Sequence, residues 1–469
     1  MVICAVEQPK PKGRVVLVTP KSFSIDSRSI RQVRSLMDQG YTLKVLEGPA
    51  SAEKLDGAYE IKSLWPAHQQ YSTPQNQKKP DLDYDQSISS SERAFKSETI
   101  SRFKKTWLGQ KIRDLVICII ESPLGVVLDG VACMKITWRY CNHYIWRPRK
   151  EVPRADLYIV HSYEFIPMIC LLGAFRRIPV VYDAHDFYEN IHSELKTEKL
   201  VADRWWYLII KCTQRLAFRY ASAITTVSDG LAVEYARVYC RWPIVIRSTH
   251  DSRDEFPVES DVRSEVLAAD DDFLIVVIGD NRPGQAIEQA LEALCGLNPN
   301  FKIAFIGHGY EKWEARKAEF NLDGRVFYLG PIPSRSMVPF IKTASISMIL
   351  DFPLTLNYLN SLPNRFFHSI AAELPLLYPG LPEMASIAST YDLGIQIDPQ
   401  DPNSISEALL SLETSPELLD RYRLNAKRAA KVLNWMEEEK IFLDIIDKVM
   451  AGQVIDGSVS STANEPRNK

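Results

Sequence analysis

Apolar residues in this chain fall into short runs, most of them unbroken, each followed by a polar turn and a stretch of helical period. Val15–Val18, Tyr41–Leu46, Leu157–Val160, Val180–Tyr182 and Ile244–Ile246 are such runs in the first half. Phe273–Ile278, Ile303–Ile306, Val326–Leu329, Ile346–Leu350 and Leu376–Tyr378 repeat the theme in the second. Between them, Ile30, Val33 and Leu36 share one helical face over 27–39, with Gly40 at the cap, and Phe366, Phe367, Ile370, Ala371 and Leu374 share another. Strand, helix, strand at this spacing is βαβ grammar. The pattern predicts an α/β chain of two Rossmann-like, doubly wound parallel-sheet domains, with a helical insertion in the first. The charged segment 249–261, carrying Pro257, is the expected linker, which divides the chain into 1–255 and 256–433. A helix over 434–451 follows, and 452–469 has no apolar anchor and reads as a disordered tail.

Two stretches break the rhythm. Residues 66–100 are polar and aperiodic, as in a long loop. Residues 103–150 combine Lys104, Lys105, Lys111 and Arg113 with two short apolar runs and then Trp138, Tyr144, Trp146, Arg147, Arg149 and Lys150. Glu121, Pro123 and Asp129 keep each run short of the ~20 residues a bilayer span needs. Two readings stand: a segment lying on an anionic membrane surface, or a helical insertion packed on the first domain.

Composition narrows the function. At 469 residues the chain has room for two or three domains at ~150 residues each. A net charge of −3 provides no global footprint for nucleic acid. The eight cysteines are scattered without a C-x-x-C pair, which reads as free thiols in a reducing compartment. Together with an N-terminus too short in apolar residues for a signal peptide, this predicts a cytoplasmic protein, on the inner membrane surface if 103–150 is the contact.

Candidate chemistry sits just past the strand ends, where doubly wound sheets bind ligands. Ser361, Leu362, Pro363, Asn364 and Arg365 form a turn at a helix N-terminus, and free N–H groups there favour a phosphate. Gly279, Arg282, Gly284 and Gln285 lie in a glycine-bracketed loop ahead of another helix, and Gly307 and Gly309 end the next strand. In the first half, His161 ends one strand and His185-Asp186 follows the next. The glycine fingerprint of dinucleotide folds is absent after the first strand, which argues against a nicotinamide cofactor. No metal ligand set is expected, and no bound cofactor.

The stretch SLPNRFFHSIAAELPLLYPGLPEM resembles the donor-site segment of family 4 glycosyltransferases, and 221–228 and 181–186 resemble further segments of that family. The resemblance implies two facing domains (the GT-B fold), a 434–451 helix crossing back to the first domain, and retaining transfer without a bound metal. The partners would be a nucleotide-diphosphate sugar on the second domain and a glycan, lipid-linked or small-molecule acceptor on the first. It places His185, with His161 beside it, on the acceptor side. Asn360 and His368 stand where the family has glutamates, Gln285 stands near its usual second cation, and Arg365 replaces a lysine. Asp26-Ser27-Arg28 resembles a family D-x-R, or is a helix cap followed by a surface arginine. Because of the departures, a catalytically impaired binding protein and a nucleotide-sugar epimerase of related fold remain as alternatives.

Overall fold

The computed structural model describes residues 11–23, 26–48, 59–64, 123–188 and 201–457. Seven parallel strands form the first sheet: β1 (Arg14–Val18), β2 (Thr42–Glu47), β3 (Tyr59–Ser63), β4 (Leu157–His161), β5 (Val180–Asp183), β6 (Ala223–Thr226) and β7 (Ile244–Val245). They run in the order β3-β2-β1-β4-β5-β6-β7. Six strands form the second sheet: β8 (Phe273–Ile278), β9 (Phe301–Ile306), β10 (Val326–Leu329), β11 (Ile346–Met348), β12 (Leu376–Pro379) and β13 (Gly394–Ile397), in the order β10-β9-β8-β11-β12-β13. Each sheet reverses its direction of winding beside its first strand, between β1 and β4 and between β8 and β11. Those switch points are where a crevice opens at the carboxyl ends of the strands.

The central strands are buried on both faces, which is why they read as continuous apolar runs. Strand β3 has no such run. Its residues alternate between half-buried and exposed because it is an edge strand, paired through Leu43 opposite Tyr59. Strand β7 is two residues long, shorter than the run Ile244–Ile246 predicts. The helices covering the first sheet are α1 (Ser27–Asp38), α2 (Pro123–Tyr140), α3 (Ile166–Arg176), α4 (Val201–Tyr220) and α5 (Asp229–Tyr239). Those of the second are α6 (Ile287–Cys295), α7 (Ser334–Ile341), α8 (Asn364–Ala371), α9 (Pro382–Thr390), α10 (Pro402–Glu413) and α11 (Pro416–Ala430). A last helix, α12 (Trp435–Met450), packs against α1 of the first lobe.

Trp435 anchors that return. Its ring is fully buried, its Nε1 donates to Ser35 Oγ at 2.9 Å, and the Arg31 guanidinium lies 5.5 Å from the ring centre. Residues 452–457, expected to be disordered, are instead tied to the first lobe. Ile455 N donates to Ser222 O at 2.7 Å, Gly457 N to Trp242 O at 2.8 Å, and Asp456 pairs with Arg241. Backbone hydrogen bonding, which composition does not register, holds this segment. Residues 66–100, 103–122 and 458–469 lie outside the described residues. Of the insertion, α2 and the turn Cys141–Trp146 pack on α3 and α4 through Tyr140 and Tyr144.

Candidate functional site

Beyond β8 and β9, two loops lock together at the carboxyl edge of the second sheet. Asn281 N donates to His308 O at 2.9 Å, and His308 N donates to Asp280 Oδ1 at 3.0 Å. Gly307, at φ 148°, lies so close that a Cβ there would stand 2.5 Å from Gly279 O, so only glycine fits. Gly309 carries the carbonyl that accepts from Asn281 Nδ2, and Gly284 packs against Leu354 and Tyr358. Gln285 turns back to accept from Arg282 N at 3.0 Å, so it braces the loop. The Arg282 side chain is exposed and forms no ion pair among the described residues. Burial works against the Asp280 charge, but the His308 bonds and Arg282 lower its carboxyl pKa.

Helix α8 begins beside these loops. Pro363 at its N-cap offers no side-chain acceptor, so its first-turn N–H groups are free of a local cap. Asn364 Nδ2 reaches across to Ser27 Oγ of the first lobe at 3.1 Å. Arg365 does not extend a free fork toward a ligand: its Nη2 donates to both Asp351 oxygens, at 2.7 and 2.5 Å, and its Nη1 to Ile278 O at 3.3 Å. It sits under Gly279, and Asp351 is buried, so the arginine serves the loop's foundation. Leu362 is a core side chain, 4% exposed. Ser361 Oγ donates to Tyr358 O at 3.0 Å, and Asn360 Nδ2 to Leu356 O at 3.0 Å. His368, expected to meet the donor, is buried with its Nε2 3.3 Å from Ser334 Oγ and its ring 5.5 Å from that of His250. Burial lowers its pKa to about 3, so the ring is neutral.

On the opposite wall, His161 is fully buried, and no acceptor can approach it as it stands. Its Nε2 lies 2.9 Å from Gln32 Oε1 and its Nδ1 3.3 Å from Ser29 Oγ. Burial pushes its pKa down to about 4 against the pull of Asp183 and Asp26. Arg28 is no surface residue: it is 5% exposed and donates Nε and Nη2 to Asp183 at 2.7 and 3.0 Å. Asp26 does cap α1, accepting from Ser29 N. Burial opposes the charge of Asp183, but Arg28, His161 and bonds from Gln32 and Thr225 hold its carboxyl well below the usual range. His161, Asp183 and His185 bring one ligand atom each within 4.8 Å of one another. The set does not suit a cation, because four donors already fill the carboxylate and the Arg28 charge stands beside it. His185 and Asp186 remain at the cleft. His185 Nε2 is 3.9 Å from Asp186 Oδ2, and its Nδ1 is buried without a hydrogen-bond partner among the described residues. Burial also opposes the charge of Asp186, but His185, Lys21, Asn357 and Tyr188 keep its carboxyl below the usual range.

The contacts that bring the walls together were missed by the sequence reading. Asn357 Oδ1 accepts from Phe187 N at 3.0 Å, while its Nδ2 lies 3.3 Å from Asp186 Oδ1. Ser228 Oγ donates to Asn360 O at 2.6 Å, and Glu383 Oε1 accepts from Gly230 N at 2.6 Å. Gly230 is required by that approach: a Cβ would stand 2.4 Å from Asn360 Oδ1 and 2.8 Å from Glu383 Oε1. Asp186, Asn360 and Asn364 are candidates from the sequence, but for a ligand rather than for these contacts.

Residues 259–429 match the family described as Glycosyl transferases group 1, a match that spans the second sheet and stops short of the first. No curated protein matches the chain. Among solved structures, HepE from Anabaena, in complex with UDP and glucose, is similar over 93% of this chain and 100% of its own, with a TM-score of 0.61 at 11% identity. Sucrose-phosphate synthase from Thermosynechococcus elongatus covers 94% of this chain and 100% of its own, with a TM-score of 0.60 at 12% identity. WaaG, a glycosyltransferase involved in lipopolysaccharide biosynthesis, covers 92% and 99%, with a TM-score of 0.57 at 13% identity. Identities this low speak for fold. The chain has two Rossmann-like parallel-sheet domains matching GT-B glycosyltransferase structures, and its second domain carries the group 1 match.

Proposed function

We propose that this protein is a retaining glycosyltransferase of hexosyl type, moving a sugar from a nucleotide-diphosphate donor to a glycan or lipid-linked acceptor. One observation carries the reading. The interlocked loops Gly279–Gln285 and Gly307–Gly309, the uncapped N-terminus of α8 and the unpaired Arg282 converge at the switch point of the second sheet, and Asn364 and Asn357 tie that edge to Ser27 and Asp186 opposite. Backbone N–H groups and one arginine then stabilise the charge on the departing diphosphate. His185 and Asp186 orient the attacking hydroxyl. The new glycosidic bond forms at the anomeric carbon as the carbon–oxygen bond to the diphosphate breaks, and the hydroxyl proton passes to a leaving phosphate oxygen. Attack on the face the diphosphate vacates preserves the configuration. Incubation with a panel of nucleotide sugars and candidate acceptors, read by mass spectrometry, tests this: the expected product is acceptor heavier by one sugar, and no consumption of any donor overturns it.

The engagement of Arg365 by Asp351 and the burial of His368 favour a second reading, a binding protein of the same architecture that holds the nucleotide without turnover. Saturable nucleotide binding with no donor consumption is its signature.

A further inference from the structure

Helices α2 and α4 are joined by a hydrogen bond from Trp205 Nε1 to Thr137 Oγ1 at 2.8 Å and by the packing of Tyr140 on Trp206, ring centres 5.6 Å apart. Tyr140 and Trp206 face inward, whereas Trp205 and Thr137 lie on the outer side. The outward faces enclose a groove of about 610 Å³ lined by Cys133, Met134, Thr137, Trp138, Trp146 and Trp205, among others. Its rim is unusually bare for such side chains: Met134 is 65% exposed, Trp138 61% and Trp146 41%. Residues 130–150 contain no aspartate or glutamate. They carry Lys135, Arg139, Arg147, Arg149 and Lys150, all exposed and none in an ion pair among the described residues. In a protein of net charge −3, the segment that supplies most of this aromatic, apolar groove thus carries five cations and no acid between Asp129 and Glu151. Among the described residues no helix is long and apolar enough to cross a membrane.

We propose that this surface docks on a bilayer of anionic phospholipid, with Trp138, Trp146 and Met134 entering the headgroup–acyl boundary and the five cations lying on lipid phosphates. Tryptophan suits that boundary because its ring is apolar and its N–H is polar. Each cation near an anionic surface favours binding, and the effect is screened by salt. A second copy of the chain is a poor occupant, because two such cationic patches would repel each other. The docking deepens the transferase reading, and rests on it in one respect only: it names the face on which a lipid-linked acceptor would be presented.

Flotation of the full chain with vesicles tests the proposal. Vesicles of equal phosphatidylglycerol and phosphatidylcholine should carry the protein upward, vesicles of phosphatidylcholine alone should not, and high salt should release it. Lys135→Glu with Arg139→Glu should weaken partition at least 25-fold, from about fivefold per cation. Met134→Ser with Trp138→Ser, both at exposed positions, should weaken it at least tenfold. No flotation with the anionic vesicles, or equal flotation with both kinds, overturns the proposal. So does a dimer in sedimentation equilibrium that Trp138→Ser dissolves. Titration of the same variants with uridine diphosphate separates the two readings: if vesicle binding is absent while nucleotide binding is intact, the docking surface is refuted and the donor site is untouched.

Discussion

Gly230→Ala is expected to act with opposite signs on two observables. Gly230 is the second residue of α5, where alanine is the better helix former by about 1 kcal/mol, so the first lobe on its own gains stability. The new Cβ, however, would stand 2.4 Å from Asn360 Oδ1 and 2.8 Å from Glu383 Oε1 of the second lobe. Asn360 can turn away only by giving up its bond to Leu356 O, about 1 kcal/mol. The Glu383 carboxylate can withdraw only by stretching its 2.6 Å bond to Gly230 N, a charge-assisted bond of roughly 1.5–3 kcal/mol. The closed arrangement therefore loses about 2–4 kcal/mol. If nucleotide binding needs the two walls together, affinity falls about 30-fold or more. Calorimetric titration with uridine diphosphate measures the loss, and small-angle scattering measures the opening as a larger radius of gyration. Gly230→Ala combined with Asn360→Ala should recover part of both. Unchanged affinity together with an unchanged scattering profile would refute the claim that this contact sets the closure.

Further outcomes follow from the buried charges and the returning helix. Arg28→Ala leaves the Asp183 carboxylate buried and unpaired and should cost about 3–5 kcal/mol in chemical denaturation. In the intact protein the Asp183 pKa is depressed on folding, so its contribution is fully present above about pH 4 and is lost as pH falls further. Unfolding curves should weaken only below that point, whereas in Arg28→Ala the strongest influence holding the carboxyl down is gone and the deficit should shrink as the pH is lowered. Arg365→Ala should destabilise the second lobe by a similar amount because it strands Asp351, a loss visible in thermal unfolding without any ligand. Trp435→Ala should cost about 3–5 kcal/mol and expose α12 to proteolysis, since the ring is fully buried against α1.

The two sheets were legible because central strands such as β1, β4 and β8 carry long apolar runs, and burial on both faces leaves that mark. Strand β3 lacks it, since an edge strand need not be apolar throughout, and it escaped notice. Strand ends were likewise visible, which is why His161, His185, Gly279 and Gly307 were found. What each residue does there was less legible. His161 and Arg28 look alike in sequence whether they face solvent or, as here, build a buried network around Asp183. Arg365 stands where a phosphate-binding lysine is expected, but Asp351, fourteen residues earlier, takes its fork. The wall-to-wall bonds join residues 132 to 337 positions apart, such as Ser228 with Asn360 and Ser27 with Asn364, and no local pattern records them.

The central claim is that the second lobe grips a diphosphate through backbone N–H groups and Arg282. Calorimetric titration of uridine diphosphate into the intact protein and into Arg282→Ala measures it most directly. Saturable binding that weakens about 10- to 150-fold on losing the arginine, with thermal stability unchanged, is the expected result. Absence of binding to this or any other nucleoside diphosphate, or affinity indifferent to Arg282→Ala, would contradict it.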